Sequence, residues 1–173
     1  MTFADHALTM ALYHRWAYER LYEQLAALDD DRYHADCGLF FKSIHGTLDH
    51  LLLVDRLWRG RMCGKPYAVA SLDEPQEPDR ARLEAAILAE CDEWIDFVRS
   101  VPEQRYATDL TFHRVNGEAM TMPFAELMMH VFNHGTHHRG QVTAAMTGFG
   151  LAAPVMDLAY FLPHRAARLA ALA

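Results

Sequence analysis

Apolar positions recur at the spacing of a helix over four long stretches of the chain. Residues 2–27 carry an apolar side chain every three or four positions and contain neither proline nor glycine. Residues 43–62 are apolar almost all the way around the helix, and the first of them is a serine, a common N-cap. Residues 79–101 begin with a capping aspartate and stop before Pro102, and residues 123–147 begin with a proline. This pattern predicts an all-α fold, a four-helix bundle.

The segments between these helices differ in character. Residues 28–38 are polar and predict a connection, whereas residues 64–78 contain three prolines and predict a long loop. Before the fourth helix, Asn116-Gly117 separates two short runs, residues 108–114 and 118–122, and this dipeptide is typical of a β-hairpin turn. A small two-stranded β-hairpin is therefore expected between the third and fourth helices.

The tail of the chain contains apolar residues that can dock on the bundle. Residues 165–173 are predicted to form a short terminal helix. With 173 residues and no internal repeat, residues 1–173 predict one domain with a single core.

Composition and charge exclude several classes of protein. The chain is 51% hydrophobic and 23% charged, which is typical of a globular protein. The net charge of −7 and the lack of a basic cluster argue against a nucleic-acid partner. The apolar runs are far shorter than the roughly 18 residues of a membrane span, and the first ten residues do not resemble a secretory signal. We therefore expect a cytoplasmic protein without a membrane partner, whose three widely spaced cysteines are free thiols.

Histidine is the unusual residue type, with eleven copies, and four of them lie on the fourth predicted helix. At 100° per residue, His134 and His138 fall within about 20° of Leu127, at the centre of the apolar stripe. His130 and His137 lie about 60° and 80° towards one flank. Two imidazoles one turn apart on a buried face are either hydrogen-bonded core residues or ligands of a shared metal ion.

A third ligand would come from another helix, and the second helix offers two candidates. His50 shares a stripe with apolar residues of that helix, whereas His45 lies about 140° away from His50, on the side of Asp49. The geometry of the helix favours His50 over His45 only modestly.

Two segments of the chain resemble the signature segments of the DinB family. They are residues 43–52, SIHGTLDHLL, and residues 133–141, NHGTHHRGQ, and the first helix adds Arg15-Trp16-Ala17 and Glu19-Arg20-Leu21. The resemblance implies an up-down-down-up bundle that binds one divalent metal ion, zinc or nickel. It also implies the ligands, namely His50, His134 and His138. The chain departs from the pattern at Tyr18, where many relatives have asparagine.

Six other residues are candidates for the surroundings of this site. Three of them belong to the second signature segment and are interpreted as partners of the ligands, as substrate contacts or as helix-surface residues: His137, Arg139 and Gln141. The other three lie close to the ligands in sequence or on the flank of the stripe: His45, Asp49 and His130.

Three imidazoles leave a coordination position open for water or substrate, as in catalytic metal sites. From the resemblance, our first hypothesis is a metal-dependent S-transferase that acts on small molecules with a low-molecular-weight thiol: bacillithiol, mycothiol or glutathione. A metal-dependent hydrolase and a non-catalytic metal-binding protein of the stress response are the alternatives. The nearly all-round apolar second helix and the resemblance both predict a homodimer.

Overall fold

The computed structural model describes residues 1–172 of the chain. Four long helices form a bundle: α1 (Phe3–Leu25), α3 (Ile44–Met62), α4 (Arg80–Ser100) and α5 (Phe124–Gly148). Two shorter helices and one 3-10 turn accompany them: α2 (Asp30–His34), α6 (Leu158–Ala170) and the turn at Glu103–Ala107. Helix α2 lies inside the segment that was predicted to be an irregular connection. It forms because the Asp29 side chain accepts a hydrogen bond from the Arg32 backbone N–H and so caps this single turn.

The four long helices pack in a ring. Helix α1 packs against α4 and α5, and α3 packs against the same two helices, so α1 and α3 lie at opposite corners. The space between them is filled by apolar side chains, including the fully buried rings of Trp94, Phe124 and Phe132. The predicted all-α four-helix bundle is confirmed.

The helix starts follow the capping residues that the sequence indicates. Ser43 Oγ accepts a hydrogen bond from the Gly46 N–H at 3.0 Å and begins α3. Asp79 Oδ1 accepts one from the Arg82 N–H at 2.8 Å and begins α4. Each cap satisfies a backbone donor that has no partner inside its own helix.

A two-stranded antiparallel sheet precedes α5, as predicted. Strand β1 (Asp109–His113) pairs with β2 (Ala119–Pro123), and Thr111 lies opposite Thr121. The turn between them places Gly117 at a φ of 85°, in the left-handed region that glycine adopts without strain. The sheet closes one end of the bundle.

The terminal helix begins earlier than the sequence predicts. It starts at Leu158 instead of 165 and contains Pro163, which removes one backbone hydrogen bond from the helix interior. The helix persists because the fully buried Phe161 packs against aromatic rings of α1. Ala173, the last residue of the predicted helix, lies outside the described residues.

The apolar pattern around α3 has its explanation within the chain. No residue of this helix is exposed, because the neighbouring helices and the loop that follows cover every side of it. Packing inside one chain thus accounts for the pattern, and the homodimer stays a prediction.

Among residues 1–172, no helix combines the length and the hydrophobicity that a membrane crossing requires. Cys37, Cys63 and Cys91 are free, as predicted, and Cys91 is buried.

Candidate metal centre

The structure brings together the three histidines that the sequence singles out. His50 comes from α3, and His134 and His138 come from successive turns of α5. One ring nitrogen of each lies within 4.8 Å of those of the other two. The closest pair is Nε2 of His134 and Nε2 of His138, at 3.0 Å. Two packed helices therefore present three convergent imidazoles.

Hydrogen bonds at the far side of two rings fix which nitrogen faces the centre. Nδ1 of His50 lies 2.8 Å from the backbone carbonyl of Leu72, and Nδ1 of His138 lies 2.7 Å from Oε1 of Gln141. Both oxygens can only accept, so each Nδ1 carries the proton and donates it. Nε2 of each ring is then left with a free lone pair, the form that binds a metal ion.

His134 shows that the three rings fit a metal ion. Two unprotonated Nε2 atoms at 3.0 Å would repel each other. A proton on Nε2 of His134 would bridge this one pair but would leave the lone pair of His50 Nε2 unused, and Nδ1 of His134 has no partner among residues 1–172 in either form. A cation between the rings would accept both Nε2 lone pairs. The donor set of three imidazoles suits a divalent transition metal ion.

The environment keeps these imidazoles uncharged. Burial, followed by the neighbouring imidazoles, lowers the pKa of His134 to about 3. Burial also lowers the pKa of His50 and that of His138, although their hydrogen bonds to Leu72 and Gln141 act in the opposite direction. All three rings are therefore neutral at pH 7 and able to bind a metal ion.

Comparison with known proteins agrees with the fold and with the two motifs. The sequence model of the DinB family matches residues 3–167. The chain belongs to the DinB family. Protein DinB of Bacillus subtilis (strain 168) is 28% identical to it over 165 residues, which cover 92% of this chain and 95% of that protein.

A solved structure shares the architecture of this DinB-family chain. YfiT from Bacillus subtilis superposes with a TM-score of 0.62 over 85% of this chain and 87% of its own. YfiT is described as a probable metal-dependent hydrolase with an unusual four-helix bundle topology. At 14% sequence identity, the likeness establishes the fold alone.

Gln141 joins two histidines of the second DinB signature segment. Its Oε1 accepts from His138, and its Nε2 lies 3.3 Å from Nε2 of His137, to which it donates. His137 is exposed and holds the amide of Gln141 in the orientation that His138 needs. Gln141 thus contacts the candidate ligand His138 directly and His137 contacts it through Gln141, which is compatible with their interpretation as partners of a ligand.

Asp49 supports the site through the loop after α3. Its two carboxylate oxygens accept hydrogen bonds from the backbone N–H groups of Gln76 and Glu77, each at 2.8 Å. This contact pins the segment whose Leu72 carbonyl orients His50. Two adjacent residues of α3 therefore act together: Asp49 anchors the loop, and the loop in turn orients the candidate ligand His50.

Two further candidates, His45 and His130, lie near the site without a hydrogen bond to it. His45 packs against the ring of His34, with centroids 4.6 Å apart, so it is not the third ligand. His130 packs edge-on against Trp58, and its centroid lies 5.8 Å from that of His134. Burial lowers the pKa of His130, which leaves a neutral imidazole one turn before the ligand pair.

Behind the ligand pair lies a buried polar network, of which the sequence analysis named Arg139 but neither His14 nor Asp55. Arg139 donates from Nη1 to Nδ1 of His14 at 2.9 Å, and His14 Nε2 donates to Asp55 Oδ2 at 2.9 Å. The exposed fractions of His14, Asp55 and Arg139 are 0%, 2% and 2%. Burial and the charge of Arg139 lower the pKa of His14, whereas Asp55 raises it, so a neutral ring links a carboxylate to a guanidinium. The network joins α1, α3 and α5 with no net charge.

The network also explains a glycine of the signature segment. A Cβ atom on Gly135 would lie 2.5 Å from Cε1 of His14, which is inside van der Waals contact. Gly135 thus lets α5 approach α1 between the two ligand turns. The signal in the sequence was Asp55 itself, a carboxylate inside the apolar run of α3, because a buried carboxylate needs a partner.

The lowered pKa values predict metal binding that depends little on pH near neutrality. Three ordinary imidazoles, with a pKa of about 6.5, would lose about sixfold in combined metal affinity between pH 7.5 and 6.5. Here the loss should be clearly smaller, because the pKa of His134 is about 3 and those of His50 and His138 are lowered, so protons compete mainly at lower pH. Titration with Ni²⁺ against a chelator of known affinity at both pH values measures it. A sixfold loss with an unchanged circular dichroism spectrum would contradict the expectation.

Proposed function

We propose that this chain is a metal-dependent enzyme that acts on a small molecule and holds one divalent ion on His50, His134 and His138. The observation that carries the proposal is the convergence of three neutral ring nitrogens within 4.8 Å of one another. A divalent ion on three imidazoles supplies Lewis acidity at an open position, where it lowers the pKa of a bound water or thiol. Zinc and nickel are the ions we propose.

Hydrolysis is the reaction that the surroundings support best. YfiT, whose fold this chain shares, is described as a probable metal-dependent hydrolase. Hydrolysis also requires a base near the metal, and His130 meets this need, because its neutral ring lies one turn from His134 and forms no hydrogen bond within residues 1–172. We assign to His130 the role of accepting the proton of the attacking water.

The test compares protein stripped by a chelator with protein reloaded with Zn²⁺ or Ni²⁺, on 4-nitrophenyl esters and amino-acid 4-nitroanilides. Reloading should restore turnover in the wild type and in the control His113→Ala, which changes an exposed residue of strand β1, but not in His138→Ala. His130→Gln should keep its metal and lose about a hundredfold in kcat, which is the contribution typical of a general base. A normal kcat in His130→Gln would remove His130 from the mechanism.

Two other outcomes would replace hydrolysis. Product that forms only in the presence of bacillithiol, mycothiol or glutathione, with the thiol attached to it, would identify a thiol S-transferase. Metal bound at one ion per chain without turnover in either assay would favour the non-catalytic role. In both cases the three-histidine metal centre would stand.

A further inference from the structure

A cavity of about 500 Å³ adjoins the metal centre and has no role in the chemistry described above. It lies between the first turns of α3 and the loop that follows this helix, and His50 lines it. Its size is within the range of small-molecule sites. His50 is the one candidate ligand that lines this cavity, so a molecule in it would lie on the His50 side of the metal centre.

Two phenylalanines form one wall of the cavity. Phe41 stacks on the imidazole of His50, with ring centroids 3.8 Å apart, and Phe40 packs edge-on against Phe41 at 4.8 Å. Phe40 is 80% exposed, the largest exposure among the aromatic residues of the described chain. An aromatic ring that points into solvent beside a metal centre gains little for the fold, but it offers a surface to a ligand.

The backbone holds this aromatic pair in a specific position. Lys42, the next residue, has a φ of 70°, an unfavourable region for a residue with a side chain. Its carbonyl accepts from the Cys37 N–H, and its N–H donates to the Leu39 carbonyl, each at 2.9 Å. A Cβ atom on Gly46 would lie 2.2 Å from the Phe41 carbonyl oxygen, so the glycine lets this turn sit against α3. The strained turn and the glycine together place the two rings.

The charge of the remaining wall is negative. Four carboxylates line the cavity, from Asp49, Asp73, Glu74 and Glu77, and among the described lining residues Lys42 is the one cation. Asp49 is bound by two backbone N–H groups, and Glu77 pairs with Arg82. Asp73 and Glu74 form no ion pair within residues 1–172, and Glu74 accepts a hydrogen bond from the Ala70 N–H at 2.6 Å. An anionic molecule would be repelled here, whereas a cation would be attracted by the carboxylates and by the aromatic faces.

We infer that this cavity binds the substrate, and that the substrate has an apolar body and a positively charged amine group. Phe40 and Phe41 contact the body, and Asp73 and Glu74 attract the cation. With the proposed hydrolysis, on which this last step rests, the substrate is an ester or amide of an amine-bearing compound.

The experiment measures binding with two probes of similar size that differ in charge. They are trimethyl(2-phenylethyl)ammonium, a cation that cannot ligate a metal, and N,N-dimethyl-3-phenylpropanamide, which is neutral. Calorimetry on the zinc-loaded protein should give about fivefold tighter binding of the cation, as expected for a cation between aromatic faces and carboxylates. Equal or weaker binding of the cation would overturn the inference.

Variants connect the binding to the named residues. Phe40→Ala should weaken both probes by about fivefold, and the double variant Asp73→Asn with Glu74→Gln should bring the cation-to-neutral ratio close to one. The matched controls are exposed residues far from the cavity, Tyr160→Ala and Asp96→Asn, and they should leave both affinities unchanged. A ratio that survives the loss of both carboxylates would overturn the inference.

The metal-deficient variant His138→Ala separates this inference from the proposed function. His138 does not line the cavity, so this variant should still prefer the cation. Absence of turnover, together with an intact preference, would count against the enzymatic proposal alone. Turnover without a preference for the cation would count against the cavity alone.

Discussion

Replacing His134 with alanine should abolish stoichiometric metal binding. His134 is the most strongly perturbed of the three imidazoles, and its Nε2 lies 3.0 Å from that of His138. Loss of a group that only orients a ligand typically costs about 10- to 100-fold in metal affinity, and loss of a ligand should cost more than that. We expect the same from His50→Ala and His138→Ala. Metal analysis of protein purified without an affinity tag, followed by competition with a chelator, measures the effect.

Two matched variants make this result specific. Gln141→Ala removes the acceptor of the His138 Nδ1 proton and should weaken binding by about 10- to 100-fold without abolishing it. His45→Ala removes the rival candidate of α3 and should change the affinity by less than about threefold, since the ring of His45 packs on His34 and is not among the three that converge. Unchanged metal content in the three ligand variants would refute the centre.

The second large effect concerns stability. Asp55→Asn should destabilise the fold by about 3–5 kcal/mol, because it leaves the buried guanidinium of Arg139 without a counter-charge. The new amide can still accept from His14, so the loss reports mainly on charge. Urea unfolding of the metal-free protein, with the midpoint and the slope determined separately, measures the change.

The control for this substitution is a carboxylate on the surface. Asp96 is paired with Arg99 at 3.7 Å on an exposed face, and Asp96→Asn should change the free energy of unfolding by less than about 1 kcal/mol. The double variant Asp55→Asn with Arg139→Met should lose less free energy of unfolding than the sum of the two single variants. Arg139→Met removes the positive charge that Asp55→Asn leaves unpaired. A loss below about 1 kcal/mol in Asp55→Asn would mean that water reaches Arg139.

The helices could be predicted from the sequence because their signals are local. The repeat of apolar residues, the caps at Ser43 and Asp79 and the Asn116-Gly117 turn each act within a few residues. Helix α6 was predicted too short, since its stability comes from the docking of Phe161 on α1, which lies more than 140 residues earlier. A local pattern carries no information about such a contact.

The residues of the candidate site also fall into two groups, those that a local sequence pattern indicated and those that it did not. His134 and His138 followed from helical periodicity, because both lie on one stripe of one helix. The choice of His50 over His45 depended on the resemblance to the DinB family. Which side of α3 faces α5 is decided by the packing of the bundle and cannot be deduced from either helix alone. The Leu72 carbonyl and the ring of Phe41 had no signal in the sequence, because they lie in irregular segments whose course only the fold defines.

The metal centre has two halves, the pair His134 and His138 on α5 and the His50 ring with its Leu72 partner. Within each half the residues are close in sequence, whereas the two halves are far apart. His134 and His138 meet as soon as α5 is helical, and the Leu72 carbonyl that orients His50 is 22 residues from it. The contact between the two halves joins residues more than 80 positions apart and forms when α3 and α5 dock. Since a metal ion finds all of its ligands only in the docked bundle, it would slow unfolding and leave the folding rate nearly unchanged if this docking follows the transition state.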